Sequence, residues 1–270
     1  MTPPVALTIA GSDSGGGAGL QADLATFAAF GVHGVSVVTA LTAQDTRGVA
    51  AIAAVDATFV RRQLDAVLDD FTVAAAKTGM LHRAPIIDAI LARPLPPLVV
   101  DPVLVATSGA ALLEPGAIDA VRDRLLPRTV LVTPNLAEAE ALTGRPVRDV
   151  PGMRDAARAL VALGARAAVV TGGHLPGDAV DVLYDGRTYR ALSAPRCAGG
   201  PIHGTGCVFS AAVTAGLACG CALDDAVVAA KRFVTRAIER AAPLGHGARV
   251  LSAAMIPGRA GPSSGARSDG

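Results

Sequence analysis

The chain has no tryptophan, and aromatic residues make up only 3% of its 270 residues. A core without large rings must be filled by many small aliphatic side chains. The 51% hydrophobic content supplies them, mainly as Ala, Val and Leu. At this length the chain can bury a substantial core, as one large α/β domain or two small ones. Neither sign of charge dominates: 24 basic against 23 acidic residues leave +1. There is no arginine-rich run and no basic stripe, which argues against nucleic acid as the main partner. The four cysteines, Cys197, Cys207, Cys219 and Cys221, form no CxxC pair and no zinc spacing. Reduced thiols are the simplest reading. A charged region followed by a long apolar stretch is missing near Met1, so no secretory signal is expected and a cytoplasmic location is. The one charge-free stretch long enough to span a bilayer lies between Arg196 and Asp224. Glycines at 199, 200, 204, 206, 216 and 220 and Pro201 interrupt it, so a buried loop and helix are expected rather than a membrane span.

What is present is an alternation of short apolar runs with helical patterns, which reads as a parallel sheet with crossover helices. Strands are expected at 5–10, 35–41, 73–77, 98–100, 130–133 and 167–171. Leu20, Leu24, Phe27 and Ala28 recur at helical spacing, as do Val60, Leu64, Val67 and Phe71. Further helices are expected at 85–91, 117–126, 136–143, 154–163 and 225–241. Residues 180–184 and 188–192, joined through Asp185-Gly186, read as a β-hairpin. No repeat or linker divides the chain, so a single domain over 1–256 is expected. Gly, Ser, Pro and Arg dominate 257–270, which read as a disordered tail.

The unusual residues fall after the strands. The glycine loop 11–19, Gln44 in the polar turn 42–46, Lys77-Thr78-Gly79-Met80, Asp101, Asn135 and Gly172-Gly173 all follow predicted strands. In an open α/β sheet, ligands bind outside the carboxyl ends of the strands, so topology brings these segments to one edge. Taken singly, each has a plain structural explanation: Asp101-Pro102 ends a strand, Asn135 caps a helix, Glu138 is a first-turn acid, Gln44 is a solvated loop residue. Taken together they face His203-Gly204-Thr205-Gly206-Cys207, a glycine-rich turn entering an apolar helix over 208–217. Backbone N–H groups and the helix dipole at such an end hold phosphate or another oxyanion. Cys207 in that first turn is expected to have a lowered pKa. A phosphate-handling enzyme site is the combined reading.

The Walker spacing GxxxxGK[ST] is absent, and so is the protein-kinase set. A dinucleotide loop is disfavoured because the second strand ends in Thr42 rather than an acid. The ordered set does match a known pattern: Ala10-Gly11-Ser12-Asp13 through Gly19, Gln21-Ala22-Asp23, Ala43-Gln44, Lys77-Thr78-Gly79-Met80, Asp101-Pro102-Val103, Thr133-Pro134-Asn135 with Glu138-Ala139, Gly172-Gly173-His174 and His203-Gly204-Thr205-Gly206-Cys207. In this it resembles the hydroxymethylpyrimidine/phosphomethylpyrimidine kinases of thiamine biosynthesis, within the ribokinase-like superfamily, from about Val5 to Gly247.

The resemblance implies a three-layer ribokinase-like α/β fold, with a mostly parallel central sheet, helices on both faces and a small β-hairpin. It implies phosphorylation of 4-amino-5-hydroxymethyl-2-methylpyrimidine by MgATP, and of the monophosphate to the pyrophosphate. By the same resemblance Gly11, Ala18 and Asp23 lie against the pyrimidine, and Gln44 hydrogen-bonds its ring and amino group. Met80 and Val103 pack on the ring. Gly204, Thr205 and Gly206 form the anion hole, and Cys207 stands where related kinases place an aspartate base. Lys77, Asp101, Asn135, Thr171, Gly173 and His203 serve ATP and its phosphates, with Asp101 and Glu138 managing Mg²⁺ and its waters. A homodimer is implied by the resemblance alone.

Three departures stand out. Thr171 replaces the lysine usual before Gly-Gly-His, Ile202 replaces a frequent threonine, and Ala248-Arg249 replaces a usual Gly-Pro. The loss of charge at Thr171 bears most on the second phosphorylation. A pyridoxal or pyridoxine kinase is the alternative enzyme, and a non-catalytic pyrimidine-binding protein the alternative class.

Overall fold

The computed structural model describes residues 2–251 apart from 107, 108, 115, 174 and 198. The tail expected at 257–270 lies outside the described residues.

In chain order the elements begin with β1 (Val5–Asp13), α1 (Gly19–Ala29), β2 (His33–Asp45), β3 (Gly48–Ala54) and α2 (Ala57–Asp70). Next come β4 (Val73–Thr78), α3 (Ala84–Leu91), β5 (Leu98–Val100), α4 (Ala117–Ala120) and β6 (Leu131–Val132). The chain continues with α5 (Leu136–Thr143), α6 (Val150–Ala162), β7 (Ala168–Thr171), β8 (Ala179–Tyr184) and β9 (Tyr189–Ala194). It ends with β10 (Ile202–His203), α7 (Thr205–Ala218), α8 (Leu223–Glu239) and β11 (Arg249–Val250). Past α4 the helical path is carried on by a π turn, Val121–Leu125, and a 3-10 turn, Leu126–Arg128.

One sheet runs in the order β3-β2-β1-β4-β5-β6-β7-β8-β9. The six strands from β2 to β7 are parallel, and β3, β8 and β9 are antiparallel additions at the two ends. The fold is thus the expected three-layer α/β class, with the hairpin β8–β9 built into the same sheet. Parallel strands with both faces covered carry apolar residues at successive positions. Leu98 and Val100 of β5 face one core with Ile86, Leu142 and Leu160, whereas Val99 faces a second with Phe27, Val213 and Phe233. The second layer is made of α1, α7 and α8, and small residues bring it close. On α7, Ala211, Ala212 and Ala215 are fully buried, and a β-carbon on Gly216 would meet Ala226 of α8 at 2.9 Å. This is how a chain with so few aromatic residues closes its core.

Two expectations about β1 and β2 are corrected. The glycine at 11 does not end β1; it makes a bulge, after which Ser12 and Asp13 pair with Leu41 and Thr42. The polar turn read at 42–46 is strand: β2 runs to Asp45 and folds back on β3, which the sequence reading missed. Both strands of this extension are half exposed, so Ala-rich β3 shows neither a buried run nor a clear alternation.

Candidate active site

The parallel strands bring their carboxyl ends to one edge. Adjacent strands β1 and β4 lead their chains to opposite faces, the switch point at which a crevice opens. A cavity of about 830 Å³ lies there. Its wall includes Gly11, Ala18, Asp23, Gln44, Met80, Val103, Asp101, Asn135, Glu138, Thr171, Gly173, His203, Gly204, Thr205, Gly206 and Cys207. Of the residues to which the resemblance gives a site role, Lys77 alone is outside the wall.

The anion turn is built as its residues suggest. Gly204 is the N-cap of α7, at φ +86°, and a β-carbon there would enter the space of the Gly17 carbonyl. The first intrahelical bond is Val208 N–H to the Gly204 oxygen at 3.0 Å. The N–H groups of Thr205, Gly206 and Cys207 precede it, and no side chain caps them. Three donors that no side chain among the described residues caps, at the start of a 14-residue helix, are the donor set an oxyanion needs. The opposite wall has the same close fit. Gly19, at φ +56°, opens α1 where a β-carbon would overlap the Gly11 carbonyl.

Beneath the turn the charges are buried. Lys77 Nζ donates to Asp23 Oδ1 at 2.7 Å with both side chains sealed from solvent. Thr8 Oγ1 donates to Asp23 Oδ2 at 2.6 Å. Burial works against the Lys77 charge, but Asp23, Cys207 and Asp101 outweigh it and hold the ammonium above its ordinary value. Burial raises Asp23 in turn, so each member of the pair depends on the other. With Nζ held below the floor, Lys77 acts on the cavity through its field rather than by contact.

Asp101 ends β5 and is 4% exposed. Burial raises its carboxyl to about 6; Lys77 opposes this and Asp23 adds to it. Ser210 Oγ lies 3.1 Å from Asp101 Oδ2, and the Cys207 thiol is also hydrogen-bonded to this carboxylate. Glu138 closes a capping box with Asn135, accepting from the Asn135 N–H at 2.9 Å while its own N–H donates to Asn135 Oδ1 at 3.0 Å. Burial and repulsion from Asp101 push Glu138 up to about 8. Asn135 is therefore the helix cap that its plain reading described, and it still lines the cavity.

Cys207 is a correction. Its place in the first turn suggested a lowered pKa, yet burial and the neighbouring Asp101 push the thiol up to about 12, against the pull of Lys77. Burial first, and then the Asp101 charge, outweigh the helix dipole here.

Other wall residues had no role of their own assigned from the sequence. Asp13 stood in the motif that opens the glycine loop; its carboxylate accepts from the N–H groups of Gly15, Gly17 and Ala18 at 2.8–3.0 Å. Lys231 of α8 donates to Asp181 Oδ2 at 2.8 Å and to the Ala179 carbonyl at 2.9 Å. Asp181 is the ladder partner of Thr171, so a cation stands beside the position that lacks one. Arg196 gathers the carbonyls of Gly173, Leu175 and Gly177. Long-range pairings of this kind leave no periodic trace in a sequence.

A three-layer α/β fold with this buried-charge floor and anion turn is that of a ribokinase-like small-molecule kinase. Bacillus subtilis pyridoxal kinase, solved as an ADP complex, has the same fold: the TM-score is 0.87 at 41% identity, covering 93% of this chain and 97% of that one. The chain belongs to the phosphomethylpyrimidine kinase family, whose model matches residues 13–252. It is therefore an enzyme that transfers phosphoryl groups. It is 50% identical over 250 residues to the hydroxymethylpyrimidine/phosphomethylpyrimidine kinase of Streptomyces coelicolor, covering 92% of this chain and 93% of that one. It is 51% identical over 246 residues to the thiamine biosynthesis bifunctional protein ThiED of Geobacter sulfurreducens, spanning 89% of this chain but 50% of that longer protein.

Proposed function

We propose that the protein transfers the γ-phosphoryl group of ATP to the hydroxymethyl oxygen of 4-amino-5-hydroxymethyl-2-methylpyrimidine, and then phosphorylates the monophosphate to the pyrophosphate. The observation that carries this reading is the placement of Gln44 and the Thr205-Gly206-Cys207 N–H groups in one cavity. A primary amide offers a donor and an acceptor to an aminopyrimidine edge, and the helix start holds the phosphoryl group in transit. Gly11, Ala18, Met80 and Val103 line the ring's side of the space, where Met80 is 7% exposed.

In the transfer, the bond from the acceptor oxygen to phosphorus forms as the bond to ADP breaks, and the hydroxyl proton must leave. Positioning and charge stabilisation supply most of the rate in such reactions. A thiol held near 12 is not a thiolate beforehand. Cys207 therefore accepts the proton late, as the hydroxyl becomes acidic, and passes its own to the Asp101 carboxylate that it already bonds.

Asp101 and Glu138 would repel incoming phosphates, and both are raised by burial and by carboxylate neighbours. A cation relieves this, so the pair fits Mg²⁺. Among the described residues no group of three or more His, Cys, Asp or Glu side chains could hold an ion alone. Mg²⁺ commonly takes one or two carboxylates, waters and substrate phosphates, which suits two acids. When bound, it would neutralise charge on the transferring phosphates. Lys231 supports the second phosphorylation, since it places beside Thr171 the charge that this threonine lacks.

No helix among the described residues is long and apolar enough to cross a membrane. The β2–β3 extension has Leu41 at 53% exposure and an unpaired β3 edge, which supports a homodimer through it.

Likeness to pyridoxal kinase favours pyridoxal as the second acceptor to try. The deciding experiment is product analysis with MgATP and the pyrimidine alcohol, its monophosphate and pyridoxal in parallel. ADP and both pyrimidine phosphates are expected, with the highest kcat/KM on the alcohol. Turnover of pyridoxal alone would replace this reading, and acceptor binding without ADP would make the protein a binder.

A further inference from the structure

Three segments remote in sequence meet at the junction of the two halves of the cavity: Asp13 at the end of β1, Gln44 in β2 and His203 in β10. Asp13 is 3% exposed. Its Oδ1 accepts the Gly15 N–H, its Oδ2 accepts those of Gly17 and Ala18, and the same Oδ2 stands 3.0 Å from His203 Nε2. Gln44 Nε2 lies 2.8 Å from His203 Nε2, and Gln44 Oε1 lies 3.2 Å from Thr42 Oγ1.

The hydrogens in this cluster can be distributed in one consistent way. The Thr42 hydroxyl donates to the Ser12 carbonyl at 2.9 Å, so only a lone pair remains for Gln44. The Asp13 carboxylate is an acceptor only, so the His203 Nε2 facing it carries a proton and has no lone pair for an amide N–H. An amide nitrogen toward His203 would set donor against donor, and an amide oxygen toward Thr42 would set acceptor against acceptor. With the amide turned over, its oxygen toward His203 and its nitrogen toward Thr42, the one Nε2–H is shared between Asp13 Oδ2 and the amide oxygen, and an amide N–H donates to Thr42 Oγ1; oxygen and nitrogen of an amide are assigned from such networks.

We propose that Asp13 and His203 are positioning residues that fix the direction of the Gln44 amide and thereby select which heteroaromatic edge the acceptor site takes. The amide is left with one oxygen lone pair and one N–H in a set order. A ring with an amino group next to a ring nitrogen matches that order, and a ring lacking the adjacent pair does not. The same residue couples recognition to transfer. His203 directly precedes Gly204, the cap of the anion turn, and a β-carbon on Gly17 would come within 2.7 Å of His203 Cδ2. The glycine loop that borders the acceptor is thus packed on the imidazole next to the phosphoryl site.

This inference rests on the pyrimidine reading, and the test separates the two. Steady-state kinetics are measured for the wild type, His203→Gln, His203→Asn, Gln44→Ala and the Gln44→Ala/His203→Asn double variant, varying acceptor and ATP in turn. A glutamine amide N–H can reach the place of Nε2, whereas asparagine is too short. His203→Asn is expected to raise the acceptor KM about tenfold, the loss of one well-placed hydrogen bond. The ATP KM should change less than the acceptor KM, and the preference for the pyrimidine over pyridoxal should fall. His203→Gln should recover most of the loss, and the double variant should be no worse than Gln44→Ala. Additive effects, or equal losses in ATP and acceptor KM, would overturn the positioning role. A wild type inactive on the pyrimidine would instead overturn the reading of the substrate.

Discussion

Lys77 Nζ stands 2.7 Å from Asp23 Oδ1, and neither side chain has measurable contact with solvent. Removing one charge from such a pair strands the other. Lys77→Met is therefore expected to cost about 3–5 kcal/mol of stability. The double change Lys77→Met with Asp23→Leu should cost less than Lys77→Met alone. Urea unfolding of the two variants checks this. Equal or greater loss in the double variant would show that the pair is not a self-contained unit.

Cys207 carries the proposed proton transfer. Cys207→Ala should lower kcat by roughly a hundredfold or more, within the range for a general base. The KM values for ATP and alcohol should stay close to those of the wild type, since the backbone N–H groups of the turn remain. Full kcat in this variant would remove the role and leave the turn itself as the catalytic element.

Asp13 predicts an acid dependence. Burial alone would raise this carboxyl, but the His203 hydrogen bond and the Gly15 and Ala18 N–H groups bring it below its ordinary value of 3.8. A carboxyl depressed in the folded state adds stability above its unfolded pKa and loses it as pH falls through the folded value. The stability difference between wild type and Asp13→Asn should be constant near neutrality. It should shrink as pH falls below 3.8 and through the folded value. Thermal melts of both proteins across that range read it directly, and a difference that grows on acidification contradicts the assignment.

Lys231 should matter most when the acceptor carries charge. Lys231→Met is expected to lower kcat/KM for the monophosphate by roughly ten- to a hundredfold, as for a lost charge-assisted contact. The alcohol should suffer less. Unfolding measurements belong beside the kinetics, because Asp181 loses its partner in this variant. Equal loss for both acceptors would make Lys231 a structural residue only.

Much of the architecture was legible along the chain because parallel strands buried on both faces leave continuous apolar runs, and crossover helices leave amphipathic ones. β3 was not, because Gly48–Ala54 is half exposed and rich in alanine. Sixteen of the positions read as candidates line the cavity, some reached through the rule that strand ends converge and the others through the family resemblance, with Asp101 among them twice over as phosphate and metal residue.

By itself the sequence determined the layer order, the family and the residues that gather at one sheet edge, since each depends on local pattern or on motif order. Tertiary structure decided what those residues are able to do. Burial next to Asp101 raised Cys207 where its helix position alone argued for lowering. Asp23 took Lys77 out of contact with the cavity, and Asp13 turned a loop into a hydrogen-bonded frame. Lys231 arrived beside Thr171 from sixty residues further along the chain. Desolvation and Coulomb interactions act through space, and their strength depends on separations that chain order does not contain.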